Sequence, residues 1–168
     1  MKDIIDKLSS YNIFNYLFPG VLFSLLATKF ASINLVFDDL FIGAFAYYFM
    51  GLVISRFGSL VIEPLLKLTK IVRFSDYKDF IEASKKDSKI EVLSESNNMF
   101  RTLISMCILL FLAIWFQLLA ESWGFLKNNQ ESIFLSLLLL LFLLSYRKQT
   151  NYIIKRIKTS KQWDKNAQ

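Results

Sequence analysis

The chain has 168 residues, 54% of them hydrophobic and 20% charged, with 17 Phe but only 5 Gly and 2 Pro. It contains no His and a single Cys, Cys107, which excludes a Ser-His-Asp or Cys-His nucleophile, a His-ligated metal, an intrachain disulfide and a multi-Cys zinc site. Twenty Lys and Arg against fourteen Asp and Glu leave a charge of +6, and the placement of that surplus says more than its size.

Four apolar runs follow one another along the chain: 13–28, 40–62, 102–120 and 133–146. Crossing a hydrocarbon core of about 30 Å takes roughly 20 helical residues. The second and third runs reach that length; the first and fourth need flanking residues to do so. The alternative, four buried helices of a soluble bundle, requires a polar face on each helix. The stretch Leu137–Leu144 has none. The expected fold is therefore an all-α membrane protein with four transmembrane helices and a small helical cytoplasmic layer. Its divisions are a first hairpin over 1–62, a cytoplasmic segment over 63–99, a second hairpin over 100–146 and a basic tail over 147–168.

The N-terminal stub, the 63–99 connection with Arg101, and the tail after Tyr146 together hold 17 of the 20 Lys and Arg. The links 29–39 and 121–132 hold only Lys29 and Lys127, beside Asp38, Asp39, Glu121 and Glu131. By the positive-inside rule both termini and the 63–99 segment of this multi-pass protein face the cytoplasm. Asp3, Asp6 and the Pro19-Gly20 pair argue against a cleaved signal peptide, so the first helix is expected to stay. Pro19-Gly20 either kinks that helix or starts it, in the second case with Asn12 to Phe18 lying along the interface. Tyr11, Phe14, Tyr16 and Phe18 read as an inner aromatic belt and Trp123 as an outer one.

The second run carries one charge, Arg56, which either snorkels to the inner headgroups or pairs across helices; Glu63, two turns on, shares its face but is far for a direct pair. Small residues recur on this helix in four-residue steps, Gly43, Gly51, Ser55 and Ser59 with Tyr47 between them and Gly58 beside the last. That spacing marks a helix-packing or gating seam, within a protomer or between protomers. Gln117 and Glu121 lie one turn apart near the outer end of the third helix, and the hydroxyls of Ser24, Thr28, Ser105, Ser136 and Ser145 are read as satisfied by their own helices. Cys107 reads as a small core residue.

In the 63–99 segment, Pro64 marks a bend into an interfacial helix carrying Leu65, Leu68 and Val72. A short amphipathic helix over Asp76 to Lys85 follows. Ser88 with Glu91 fits a capping box, and Ser96-Asn97-Asn98 a cap for the third membrane helix. No Gly lies between Leu60 and Asn98, so there is no phosphate loop. The fourth helix is expected to continue to about Lys158, with Trp163 as a late anchor. The cations of the tail serve either anionic lipid or a polyanionic ligand, on which a nearby Tyr or Trp would stack.

No set of catalytic groups emerges, no cofactor is implied, and the chain is not expected to be an enzyme. Four helices leave no aqueous lumen among themselves, so a pore needs several protomers around an axis. The blocks YNIFNYLFPGVLF (Tyr11–Phe23), GLVISRFGSLVIEPLLK (Gly51–Lys67), YKDF (Tyr77–Phe80) and LSESNNMFRTL (Leu93–Leu103) resemble small membrane effectors of bacterial anti-phage defence operons, in particular the channel-forming effector of Hailong-type systems. The resemblance implies a homo-oligomeric, tetrameric ion channel that depolarises the cell, under a nucleotide or oligonucleotide signal made by a partner nucleotidyltransferase. The candidate residues for such an anion are Lys85, Lys86, Lys89, Arg101, Lys155, Arg156 and Lys158. The competing reading is a non-conducting membrane anchor, or accessory subunit, that docks a cytoplasmic partner.

Overall fold

A computed structural model describes residues 13–166, with the side chains of all but Phe14 and 161–166. Tyr11, and the side chains of Phe14 and Trp163, lie outside the described residues. Everything regular among the described residues is helical. A π-helical turn, Ile13–Leu17, leads into α1, Phe18–Phe30. Helix α2, Leu40–Phe57, passes through a second π-helical turn, Gly58–Ile62, into the short α3, Glu63–Leu68. Then come α4, Tyr77–Lys86; α5, Lys89–Ser122; and α6, Gly124–Asn166.

Three helices are long and apolar enough to cross a membrane: Leu40–Leu68, Lys89–Ser122 and Gly124–Ser160. The first apolar run is also helical, but as five π-helical residues followed by thirteen α-helical ones. Pro19 stands in the opening turn of α1, where its missing N–H leaves no carbonyl unanswered within the α-helix. Of the residues before it Asn15 is fully enclosed by protein, while Ile13, like Phe18, is about half exposed.

Local chemistry sets the helix ends. Asp39 caps α2 by accepting hydrogen bonds from the Phe41 and Ile42 amides at 2.8 and 2.9 Å. Both α1 and α3 close with a residue in the left-handed region, Ser32 (φ 51°) and Lys70 (φ 59°). In each case a later amide reaches back six residues, Ile33 to Ala27 O and Val72 to Leu66 O. Val72 therefore leaves the helix expected to carry it. Pro64 sits just after the π-helical turn, in which the Glu63 amide donates to Gly58 O, so the proline is absorbed without a break in the helical path.

Two sequence expectations are corrected on α5. Ser88 has helical dihedrals and makes no side-chain cap; the Lys89 amide bonds Asp87 Oδ1 instead, at 2.9 Å. Ser96-Asn97-Asn98 caps nothing, since α5 runs through it unbroken and Ser96 donates to Val92 O. A third correction concerns the 121–132 link. Helices α5 and α6 reverse at Trp123 alone, and 124–132 is already helix. The link lacks Pro, and Lys127, Gln130 and Glu131 favour helix strongly enough to carry Asn128 and Asn129 within it.

The core inverts the soluble pattern. Its most buried members include the small or polar Ala27, Asn15, Ser24, Ser55, Thr102 and Ser105 beside Ile54, Ile62 and Met106, while Leu40, Phe41 and Phe45 are each more than three-quarters exposed. Water would reverse that distribution, whereas a hydrocarbon solvent favours it, because in lipid the gain comes from close backbone approach and satisfied polar groups.

Candidate functional site: a polar seam and a charged cluster

The seam comes first, because it fixes the backbones on which the charged groups stand. A Cβ placed on Gly20 would overlap the Tyr47 carbonyl, and one on Gly51 the Tyr16 carbonyl. Helix α1 with its preceding turn and helix α2 thus touch backbone to backbone at two reciprocal points. Gly58 brings α5 close as well, but against a side chain: a Cβ there would meet Ser105 Oγ, with the Arg101 carbonyl 3.4 Å away. Gly43 differs: its neighbours are the Tyr47 ring and Phe37 Cβ at ordinary or slightly tight distances, so it packs against its own hairpin. The described contacts of the small-residue stripe are made within one protomer.

Between these contacts lies a polar knot. The Thr102 hydroxyl oxygen is 2.9 Å from Asn98 O, 3.2 Å from Asn15 Oδ1 and 3.3 Å from Ser55 Oγ. Its one proton serves one of these three acceptors at a time. All of Asn15, Ser55 and Thr102 are buried, so three segments of chain are tied at one point. Sequence reading treated such hydroxyls as self-satisfied and passed over Asn15. The available signal was two polar side chains, Asn15 and Thr102, each at the basic end of an apolar run. Ser24 also reaches beyond its own helix, donating to Leu35 O at 2.6 Å and holding down the 29–39 link.

At the basic end the three long helices bring their charges together. Glu63 Oε2 accepts from Arg101 Nη1 at 2.8 Å, and Glu63 Oε1 from Lys67 Nζ at 2.8 Å. Lys67 also lies over the Phe74 ring, 4.2 Å from its centroid. From α6, Lys148 Nζ donates to Ser59 O at 2.5 Å and to Ser59 Oγ at 2.7 Å. Glu63 feels the charges of Lys148, Lys67 and Arg101, and Lys148 those of Glu63, Arg101, Lys67 and Arg56. The carboxylate is buried and Arg101 nearly so, whereas Lys67 is half exposed. Arg56 forms no ion pair with the described residues; it stands one turn before the cluster, on the same side of it as Lys148.

The remaining expected residues divide. Lys85 and Lys86 end α4 and Lys89 opens α5, all exposed at one corner. Arg101 gives Nη1 to Glu63 and keeps about a fifth of its side chain exposed. Lys155, Arg156 and Lys158 are exposed on α6, and Arg156 lines a shallow groove of about 380 Å³ with Tyr77, Gln149, Tyr152, Ile153 and Ile157. Cys107 is exposed rather than in the core. Comparison of the chain with protein-family models, curated proteins and solved structures finds no match in any of the three.

Proposed function

We propose that the chain is the subunit of a homo-oligomeric ion channel of the bacterial inner membrane, a depolarising effector of anti-phage defence controlled by a nucleotide signal at its cytoplasmic face. The observation that carries this reading is the state of α6. Only 6% of its most apolar stretch is buried, against 22% for the α2–α3 helix and 17% for α5. An entire apolar helix is left for lipid or for other subunits, while α1, α2 and α5 pack through glycine contacts that leave no lumen between them. A pore then forms between protomers, with α6 at the subunit boundary. The reading includes four spans with both termini cytoplasmic, supported by the charge bias of the sequence and by the meeting of Glu63, Lys67, Arg101 and Lys148 at the end of the bundle opposite Trp123. In it, the Lys85, Lys86 and Lys89 corner and the Arg156 groove, flanked by Lys155 and Lys158, receive the anionic signal, with Tyr77 and Tyr152 available for base stacking.

Conductance of the purified oligomer in planar bilayers tests the reading. Currents that change with added oligonucleotide, and a K155Q/R156Q/K158Q variant that conducts without responding, are the expected result. Silence under every nucleotide condition, or a monomeric particle in detergent, would overturn it. The anchor reading has its own support in the same groove, where α4 and α6 form an exposed cleft away from the apolar runs. A silent monomer that captures a soluble partner through that cleft would favour it.

A further inference from the structure

Three apolar runs stop at one level. The second ends at Ser59 to Glu63, the third begins after Arg101 and the fourth ends before Lys148. The side chains of these three boundaries meet one another, so the cluster lies where hydrocarbon gives way to headgroups, not out in the aqueous layer. Three cations, Lys67, Arg101 and Lys148, surround the carboxylate of Glu63, and Arg56 adds its charge beside Lys148, a surplus of three positive charges in a half-buried setting. Two details show that protein groups leave this surplus standing. The Lys148 ammonium spends its two hydrogen bonds on Ser59, a neutral residue. Arg101 gives Nη1 to Glu63 while its Nε is enclosed without a partner. Unneutralised cations at a low-dielectric boundary are costly, and an anion at the same depth relieves them.

From this we infer that the Arg56–Lys67–Arg101–Lys148 cluster binds a phosphate group, supplied by an anionic phospholipid of the inner leaflet. A phosphodiester sits at that depth by virtue of its own lipid tails, and the exposed Leu140, Leu143 and Leu144 on α6 below Lys148 offer those tails an apolar wall. Glu63 has the role of orienting Lys67 and Arg101 rather than of binding the ligand. The lipid would lie against α2–α3 and α6 together and tether the sparsely packed helix to the rest of the subunit. This inference does not depend on the channel reading.

The experiment is native mass spectrometry of the full chain in detergent, with phosphatidylglycerol or phosphatidylcholine added. Preferential retention of phosphatidylglycerol is expected. An R56Q/K148Q variant should lose about 30-fold in that retention, the contribution of two cations at a membrane surface. A K29Q/K127Q variant, with the same change in net charge at the opposite end, should keep it. If R56Q/K148Q fails to fold, K148R, which keeps the charge, and K148Q alone provide the comparison: retention preserved in the first and lowered in the second. Equal retention of the two lipids, or equal losses in the two double variants, would overturn the site. Displacement of phosphatidylglycerol by an excess of inorganic phosphate would overturn the lipid source and make the ligand a soluble phosphate.

Discussion

A single methyl group separates alanine from glycine, and at Gly51 it would land on the Tyr16 carbonyl. G51A, like G20A, must push the first helical segment off α2, and overpacking of this kind lowers stability by about 1–3 kcal/mol or more. Thermal unfolding in detergent should show the loss, whereas G124A, which meets nothing within 4 Å, should leave the midpoint unchanged or slightly raised. An unaffected G51A would mean the two backbones are not in contact. For Thr102, replacement by Val keeps the shape but removes a hydroxyl shared by Asn15 and Ser55, a loss of about 1–3 kcal/mol from groups left unpaired. The charged residues should separate by exposure. E63Q strips a buried Arg101 of its counter-charge and should destabilise by roughly 3 kcal/mol. K67Q removes a half-exposed partner and should change stability by less than about 1 kcal/mol. The same unfolding assay distinguishes them; equal effects would show that burial does not govern the pair.

Helix α5 shows where reading by element succeeds and where it fails. Its apolar run, 102–120, was evident from hydropathy alone, because lipid selects residue type at every exposed position. Its beginning was not. Ser, Asn and Asp are the residues that cap helices, yet they serve equally as interior residues when the neighbouring residues propagate helix and the hydroxyls bond back, as Ser96 does to Val92 O. Asn97→Ala decides the matter in solution. At an interior site alanine should raise stability by about 0.5 kcal/mol, whereas loss of a cap would lower it by about 1 kcal/mol. The seam on α2 was legible as a face, since four-residue spacing fixes which side chains align. The element that fills it was not, because spacing within one helix says nothing about its neighbour. The same limit hid the Glu63–Arg101 pair, 38 residues apart in sequence, and made Lys148 look like one more cation of the tail rather than a tie to Ser59.

For the whole subunit, the inside-out core and the bare face of α6 make one expectation. The chain should partition with membranes and leave them only with detergent. Cysteine labelling then tests topology. Substitutions at Lys127 and at Lys161, in a background with Cys107 replaced, should be modified from opposite sides of the membrane, and modification of both from one side would break the four-span arrangement. Charge bias carried that arrangement in the sequence without any structural help. What it could not reveal was how tightly each span is held, since a lipid-facing Leu and a subunit-facing Leu read alike.

The reversal at Trp123 has a mechanical consequence. A turn made by one residue sets the tops of α5 and α6 level, so neither helix can spend its length above the turn. Helix α5 has 34 residues and α6 has 43, about 51 and 65 Å of rise at 1.5 Å per residue. A bilayer core absorbs about 30 Å of each. The polar 124–132 stands above that core and the rest projects below it, a pair of unequal stilts with the taller reaching about 14 Å past the shorter.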